Sequence, residues 1–134
     1  MHEWALAEAV VEALRSLLER GELAEIHRVV VKVGELQQVE EEVFTFAIEE
    51  LLKLSGLEGV KVELVRERVL LRCRSCGYEW SPDLESLGLR EKEAVHFLPE
   101  LIHSFASCPR CGSFDFDIVR GRGVWVWRVE GRRA

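Results

Sequence analysis

Asparagine is missing altogether from this chain of 134 residues, and its only side-chain amides are Gln37 and Gln38. Set beside abundant Glu and Arg, that scarcity matches the composition of heat-stable proteins. Positive charge is in deficit too: 18 Lys and Arg against 24 Asp and Glu leave a net charge of −6. A nucleic-acid partner would call for a basic face that displaces counterions, so this balance argues against one. No run of 18 apolar residues is present, and Met1-His2-Glu3 is not the basic start of an export signal. The expectation is a cytoplasmic protein with no membrane partner. A glycine-rich phosphate loop and a Gly-x-Ser-x-Gly elbow are also missing, which argues against an NTPase and a serine hydrolase. No internal repeat or low-complexity segment is visible. An apolar fraction of 48% and a charged fraction of 31% describe a globular chain, not a disordered one. Its length allows one compact unit or two very small ones.

Cysteine is scarce as well, and its placement organises the rest. All four cysteines lie in two CxxCG knuckles, Cys73-Arg74-Ser75-Cys76-Gly77 and Cys108-Pro109-Arg110-Cys111-Gly112. In each, the glycine tolerates the positive φ of a tight turn. Two facing knuckles put four thiolates at the corners of a tetrahedron, the geometry of structural Zn²⁺. With no sign of an oxidising compartment, disulfides are the weaker reading. Soft thiolates also take iron, so a rubredoxin-like redox carrier stays open, as does a zinc-ribbon interaction module. Much of the chain lies outside the knuckles, which favours zinc over a minimal iron carrier. Four protein ligands leave no open position on such an ion, which argues against metal-assisted hydrolysis.

Taken in order, residues 3–19 read as a helix with Leu6, Val10, Leu14 and Leu17 in one stripe beside Ala9 and Ala13. Ile26 to Val33 reads as a strand ending at Gly34. A second helix is expected over 40–54, its first turn loaded with Glu40, Glu41 and Glu42. Its apolar face would be Val43, Ala47 and Leu51, widened by Phe44, Phe46, Ile48 and Leu52. Val60 to Leu64 and Val69 to Leu71 follow as strands, with Arg66-Glu67-Arg68 as a turn, and the tail around Val124 to Val129 returns as a last strand. The fold class is α+β: two helices packed on a small mixed sheet, with an inserted Cys₄ knuckle domain. The expected division is 1–71 plus 119–134 for the α+β domain and 72–118 for the zinc domain. The 31-residue connection between the knuckles is too long for bare loop; it holds Pro82, Gly88, Pro99, His96 and His103.

The N-terminus carries its own chemistry. The Met1 α-amine, the His2 amide and the His2 imidazole can close adjoining chelate rings on one ion. Tetragonal nitrogen donors of that kind suit Ni²⁺ or Cu²⁺. A structural histidine is the alternative reading. His27 and His103 read as structural, and the glutamates at 40–42 and 49–50 as solvated helix faces, not acid–base pairs.

Met1-His2-Glu3, then Gly34-Glu35-Leu36 after a valine strand, then the two knuckles ending Cys108-Pro109-Arg110-Cys111-Gly112-Ser113, together resemble the HypA family. Those proteins are nickel metallochaperones of NiFe-hydrogenase maturation, and the similarity runs in the same order along nearly the whole chain. The resemblance implies Ni²⁺ as cargo at His2, flanked by Met1 and Glu3, and structural Zn²⁺ on Cys73, Cys76, Cys108 and Cys111. It implies as partners a P-loop NTPase nickel-insertion accessory protein and the hydrogenase large subunit. The long connection between knuckles is similar to that of archaeal members. In those, a loop histidine completes the nickel site when the partner is bound, and His96 fits that position. A packing role is the alternative for His96. What is implied is a delivery protein, not an enzyme.

Overall fold

The computed structural model describes residues 2–134, and of His2 the backbone alone. Met1 and the His2 side chain, both placed in the expected nickel site, lie outside the described residues. The chain forms two compact units. One takes the chain through Lys32, Val39–Val65 and Val124–Ala134; the other takes Val33–Gln38 and Arg66–Gly123.

In the first unit, α1 (His2–Glu19) packs on α2 (Glu41–Leu54). A three-stranded sheet runs in the order β2 (Lys61–Glu67), β1 (Leu23–Gly34), β6 (Val124–Arg133). The final strand thus joins the first sheet, as the tail's alternation implies. The buried stripe of α1 is Ala7, Val10, Val11 and Leu14, at the i, i+3, i+4, i+7 spacing of one helical face. This is a rotation from the expected stripe, because Ala9 and Ala13 face solvent. On α2 the buried set is Phe44, Ala47, Ile48 and Leu52, while Val43 and Phe46 are exposed. Ile26, Val29 and Val31 of β1 supply the sheet's share of the apolar interior.

The second unit holds an antiparallel sheet in the order β4 (Glu79–Trp80), β3 (Leu70–Cys73), β5 (Phe116–Arg120). Here the structure corrects the reading of the third strand. A turn at Arg66-Glu67-Arg68 implies that Val69 to Leu71 returns beside β2, but β3 pairs with β4 and β5 instead, and Val69 and Leu71 are fully buried with Leu36, Leu84, Val95, Ile102 and Phe116. The cause is local. Register sets Cys73 opposite Phe116, so the strand that carries the first knuckle must run beside the strand that leaves the second.

The long connection folds as short 3₁₀ turns at Leu84–Ser86 and Pro99–Ser104 around one helix, α3 (Leu89–Phe97). Gly88 caps its start, and Pro99 opens the turn that follows. The Gly34-Glu35-Leu36 stretch is also part of this unit. Gly34 N donates to Gly123 O (2.7 Å) and Leu36 N to Gly121 O (2.9 Å). A β-carbon on Gly34 would collide with the Gly121 carbonyl, so this close approach requires a bare backbone. Glu35 Oε1 accepts from Val69 N at 3.1 Å, tying the same stretch to β3.

Candidate metal centre

The two knuckles fold alike, as their matching sequences require. In the first, Gly77 N donates to Cys73 O (2.9 Å) and Cys73 N to Tyr78 O (2.8 Å). In the second, Gly112 N donates to Cys108 O (2.8 Å) and Cys108 N to Ser113 O (2.8 Å). Gly77 and Gly112 take φ of 80° and 78°, the left-handed turn that turns each second cysteine back toward the first. The knuckles are joined to each other as well. Arg74 N donates to Asp115 O at 2.9 Å, Arg74 Nε to Asp117 Oδ1 at 2.8 Å, and Ser75 Oγ lies 3.2 Å from Ser113 Oγ. The Arg74 guanidinium holds the Asp117 carboxyl below its ordinary range.

All four sulfurs lie within 4.8 Å of one another. Cys73 and Cys111 Sγ are 3.5 Å apart, and Cys76 and Cys108 Sγ 3.6 Å. A tetrahedron of sulfurs about 2.3 Å from a central ion has edges of about 3.8 Å. These separations fit that figure and are far from the roughly 2 Å of a disulfide. The residues present therefore suit a tetrahedral thiophilic ion. Cys73 and Cys108 are buried and Cys76 and Cys111 exposed.

Proton affinities in the cluster are split. Burial opposes ionisation at Cys73, but the N–H groups of Cys76 and Ser75 and the neighbouring sulfurs outweigh it, bringing its pKa down to about 6. At Cys108, burial is likewise outweighed by the N–H groups of Cys111 and Arg110, and the pKa falls. Cys111 goes the other way: the Ser113 N–H favours its thiolate, yet the sulfur of Cys73, burial and the sulfurs of Cys108 and Cys76 push it up to about 12. Some thiolates form readily and then hold the last proton in place. A dication reverses that repulsion, so metal uptake must release protons and weaken as pH falls.

The expected nickel residues are divided between the units. His2 begins α1 in the first unit, where the helix itself makes no use of the N–H groups of its opening turn. Glu3 belongs to the buried face of α1 and is only 6% exposed. Its Oε2 accepts from Glu40 N at 3.0 Å. Glu40 is the N-cap of α2 and offers no side-chain cap of its own. Glu3 thus sets a carboxylate at the positive end of α2 and pins the first turn of α1, with His2, to it. Sequence reasoning missed this; the signal was a glutamate in register with Ala7, Val10, Val11 and Leu14. Glu3→Ala should strand the Glu40 N–H and lower stability by about 1–3 kcal/mol, read by thermal denaturation. An unchanged melting temperature would refute the anchoring role.

His96 lies on α3 in the second unit, half-buried, with Nδ1 donating to the Gln37 carbonyl. Ring donation to a backbone carbonyl is how ligating histidines are commonly oriented. His103 stacks on Phe116 with centroids 4.1 Å apart, and its Nδ1 lies 3.3 Å from Phe114 O, a packing role. His27 sits on β1, 3.4 Å from Glu25. No helix among the described residues is long and apolar enough to cross a membrane.

The family model described as "Hydrogenase/urease nickel incorporation, metallochaperone, hypA" matches residues 1–131. The hydrogenase maturation factor HypA of Pyrococcus horikoshii is 44% identical over 128 residues, covering 94% of this chain and 92% of that protein. Its counterpart in Thermococcus kodakarensis is 43% identical over the same shares. The solution structure of the nickel metallochaperone HypA from Helicobacter pylori superposes with a TM-score of 0.67 at 20% identity, covering 98% of each chain, a likeness of fold.

Proposed function

Because the chain belongs to the HypA family of hydrogenase/urease nickel-incorporation metallochaperones, we propose that it binds Ni²⁺ at its N-terminus and delivers it for NiFe-hydrogenase maturation. The observation that carries this reading is the family match over residues 1–131, which runs through both the N-terminal segment and the four-cysteine cluster. We assign the nickel role to the unit holding α1 and the structural-metal role to the unit holding the cysteines.

The proposed donors are the Met1 α-amine, the His2 amide and the His2 imidazole, with His96 joining when a partner is bound. Tetragonal nitrogen sets of this kind suit Ni²⁺. Giving up the His2 N–H proton costs α1 no internal hydrogen bond. Glu3 contributes by holding this first turn, and its negative charge offsets the repulsion between a cation and a helix N-terminus. Cys73, Cys76, Cys108 and Cys111 would hold Zn²⁺, which supplies cross-linking of the two knuckles and no open coordination position. The protein is on this reading a carrier and not an enzyme. Its partners are a P-loop NTPase nickel-insertion accessory protein and the hydrogenase large subunit, all cytoplasmic.

Isothermal titration of Ni²⁺ into zinc-loaded, tag-free protein tests the ligand. His2→Ala should lower affinity at least tenfold, a loss of about 1.4 kcal/mol or more, with zinc content and far-UV dichroism unchanged. Trp4, two residues on and packed edge-to-face on Phe46 at 6.2 Å, provides a fluorescence reporter. Equal affinity in the two proteins would rule out His2.

A further inference from the structure

We infer that Gln37 is the positioning residue for His96, fixing which ring nitrogen that histidine offers to a metal; the functional weight of this rests on the nickel reading above. A carbonyl oxygen can only accept, so the contact between His96 Nδ1 and the Gln37 carbonyl requires the proton on Nδ1. In the neutral ring the lone pair then belongs to Nε2. Free histidine prefers the opposite tautomer, so the protein imposes this one.

The carbonyl that imposes it is held from several sides. The Gln37 side chain is buried, and its Oε1 accepts from Gly123 N at 3.0 Å. Just before it, Leu36 is fully buried and its N–H is bound to the Gly121 carbonyl. Just after it, Gln38 adopts a left-handed conformation (φ 49°, ψ 41°) that few non-glycine residues take. Gln38 Nε2 donates to Glu35 O at 2.9 Å, closing the turn around Gln37. On the other side, α3 is anchored by the fully buried Val95 next to His96. These bonds hold the Gln37 side chain and the residues on either side of it, and leave the Gln37 carbonyl itself to His96. Together they fix the plane of the peptide that reads the imidazole, so in the neutral ring the lone pair is set on Nε2 before any metal arrives.

Long-range ¹H–¹⁵N spectra of the zinc-loaded full chain read the tautomer directly. Wild type should show His96 mainly as Nδ1–H. Gln37→Ala frees the peptide and should shift the ratio about fivefold toward Nε2–H, the equilibrium weight of one net hydrogen bond. Gln37→Glu keeps an acceptor oxygen for Gly123 N and should restore the wild-type ratio. A merely structural role for Gln37 would lower the melting temperature and leave the tautomer alone. A wild-type ring mainly Nε2–H, or a ratio unmoved by Gln37→Ala, would overturn the inference. Adding Ni²⁺ to the labelled protein, alone and with its NTPase partner, separates the two claims. If the ratios behave as stated while nickel leaves the His96 resonances untouched in both samples, the ligand role of His96 falls and positioning by Gln37 stands.

Discussion

Cys76→Ser should cost the protein its tightly bound zinc and most of the order in the unit that carries the cysteines. Cys76 is exposed, so serine there removes a ligand without opening a cavity, unlike the buried Cys73 or Cys108. The loss therefore acts through the metal. Its size follows from comparing two terms. The apolar core of this unit is seven buried side chains, and cores this small rarely supply more than about 3–5 kcal/mol. A structural Zn²⁺ contributes roughly 10–16 kcal/mol to folding in small domains. The metal term wins. Trp80 reports it, because its ring packs edge-to-face on Phe116 at 5.5 Å and stacks near Tyr78 at 6.3 Å. Near-UV dichroism from this cluster should collapse, while the helical far-UV signal of α1 and α2, which have their own core, should persist. Acid should have the same effect in wild type: as pH falls, protons compete with the metal for the sulfurs and zinc is released. Full zinc content with an unchanged Trp80 environment in Cys76→Ser would contradict the structural role.

The knuckles were legible because their information is covalent: two sulfurs three residues apart with a glycine behind them can make little else. The helices α1 and α2 were legible from period alone. What escaped was set by tertiary partners. α3 has no apolar face to read, since of its residues only Val95 is buried while Leu89 and Phe97 stand in solvent. The Val69–Leu71 run looks equally at home in either sheet; only the pairing of Cys73 with Phe116 decides. Glu3 and Gln37 are polar residues in buried places, and a hydrophobic pattern cannot announce those. Each satisfies a backbone N–H, Glu40 N and Gly123 N respectively. The resemblance pointed to Met1, His2 and Glu3 as a group, and the structure adds a distinct part for Glu3, as the anchor of the first helical turn.

The second large effect concerns the end of the chain itself. Adding Gly-Ser ahead of Met1 should abolish tight nickel binding and leave everything else alone. Two of the three proposed N-terminal donors depend on this end: the α-amine becomes an amide, and the chelate ring it closed with the His2 amide is lost. Zinc, held by Cys73, Cys76, Cys108 and Cys111, does not depend on that amine, and neither does α1, whose buried face begins at Glu3. Binding to the native terminus should also fade with acid. The amine titrates near 7.7–8.0 and imidazole near 6.5 when unperturbed, so affinity should fall as pH drops through about 8 to 6. The decisive measurement is Ni²⁺ titration at one pH, by calorimetry and absorption, into tag-free zinc-loaded protein and the same protein extended by two residues. The account expects one tight site with the spectrum of tetragonal nitrogen ligation in the first and its loss in the second. Equal affinity and an identical spectrum in the extended protein would contradict a terminal nickel chelate and move the site to side chains elsewhere.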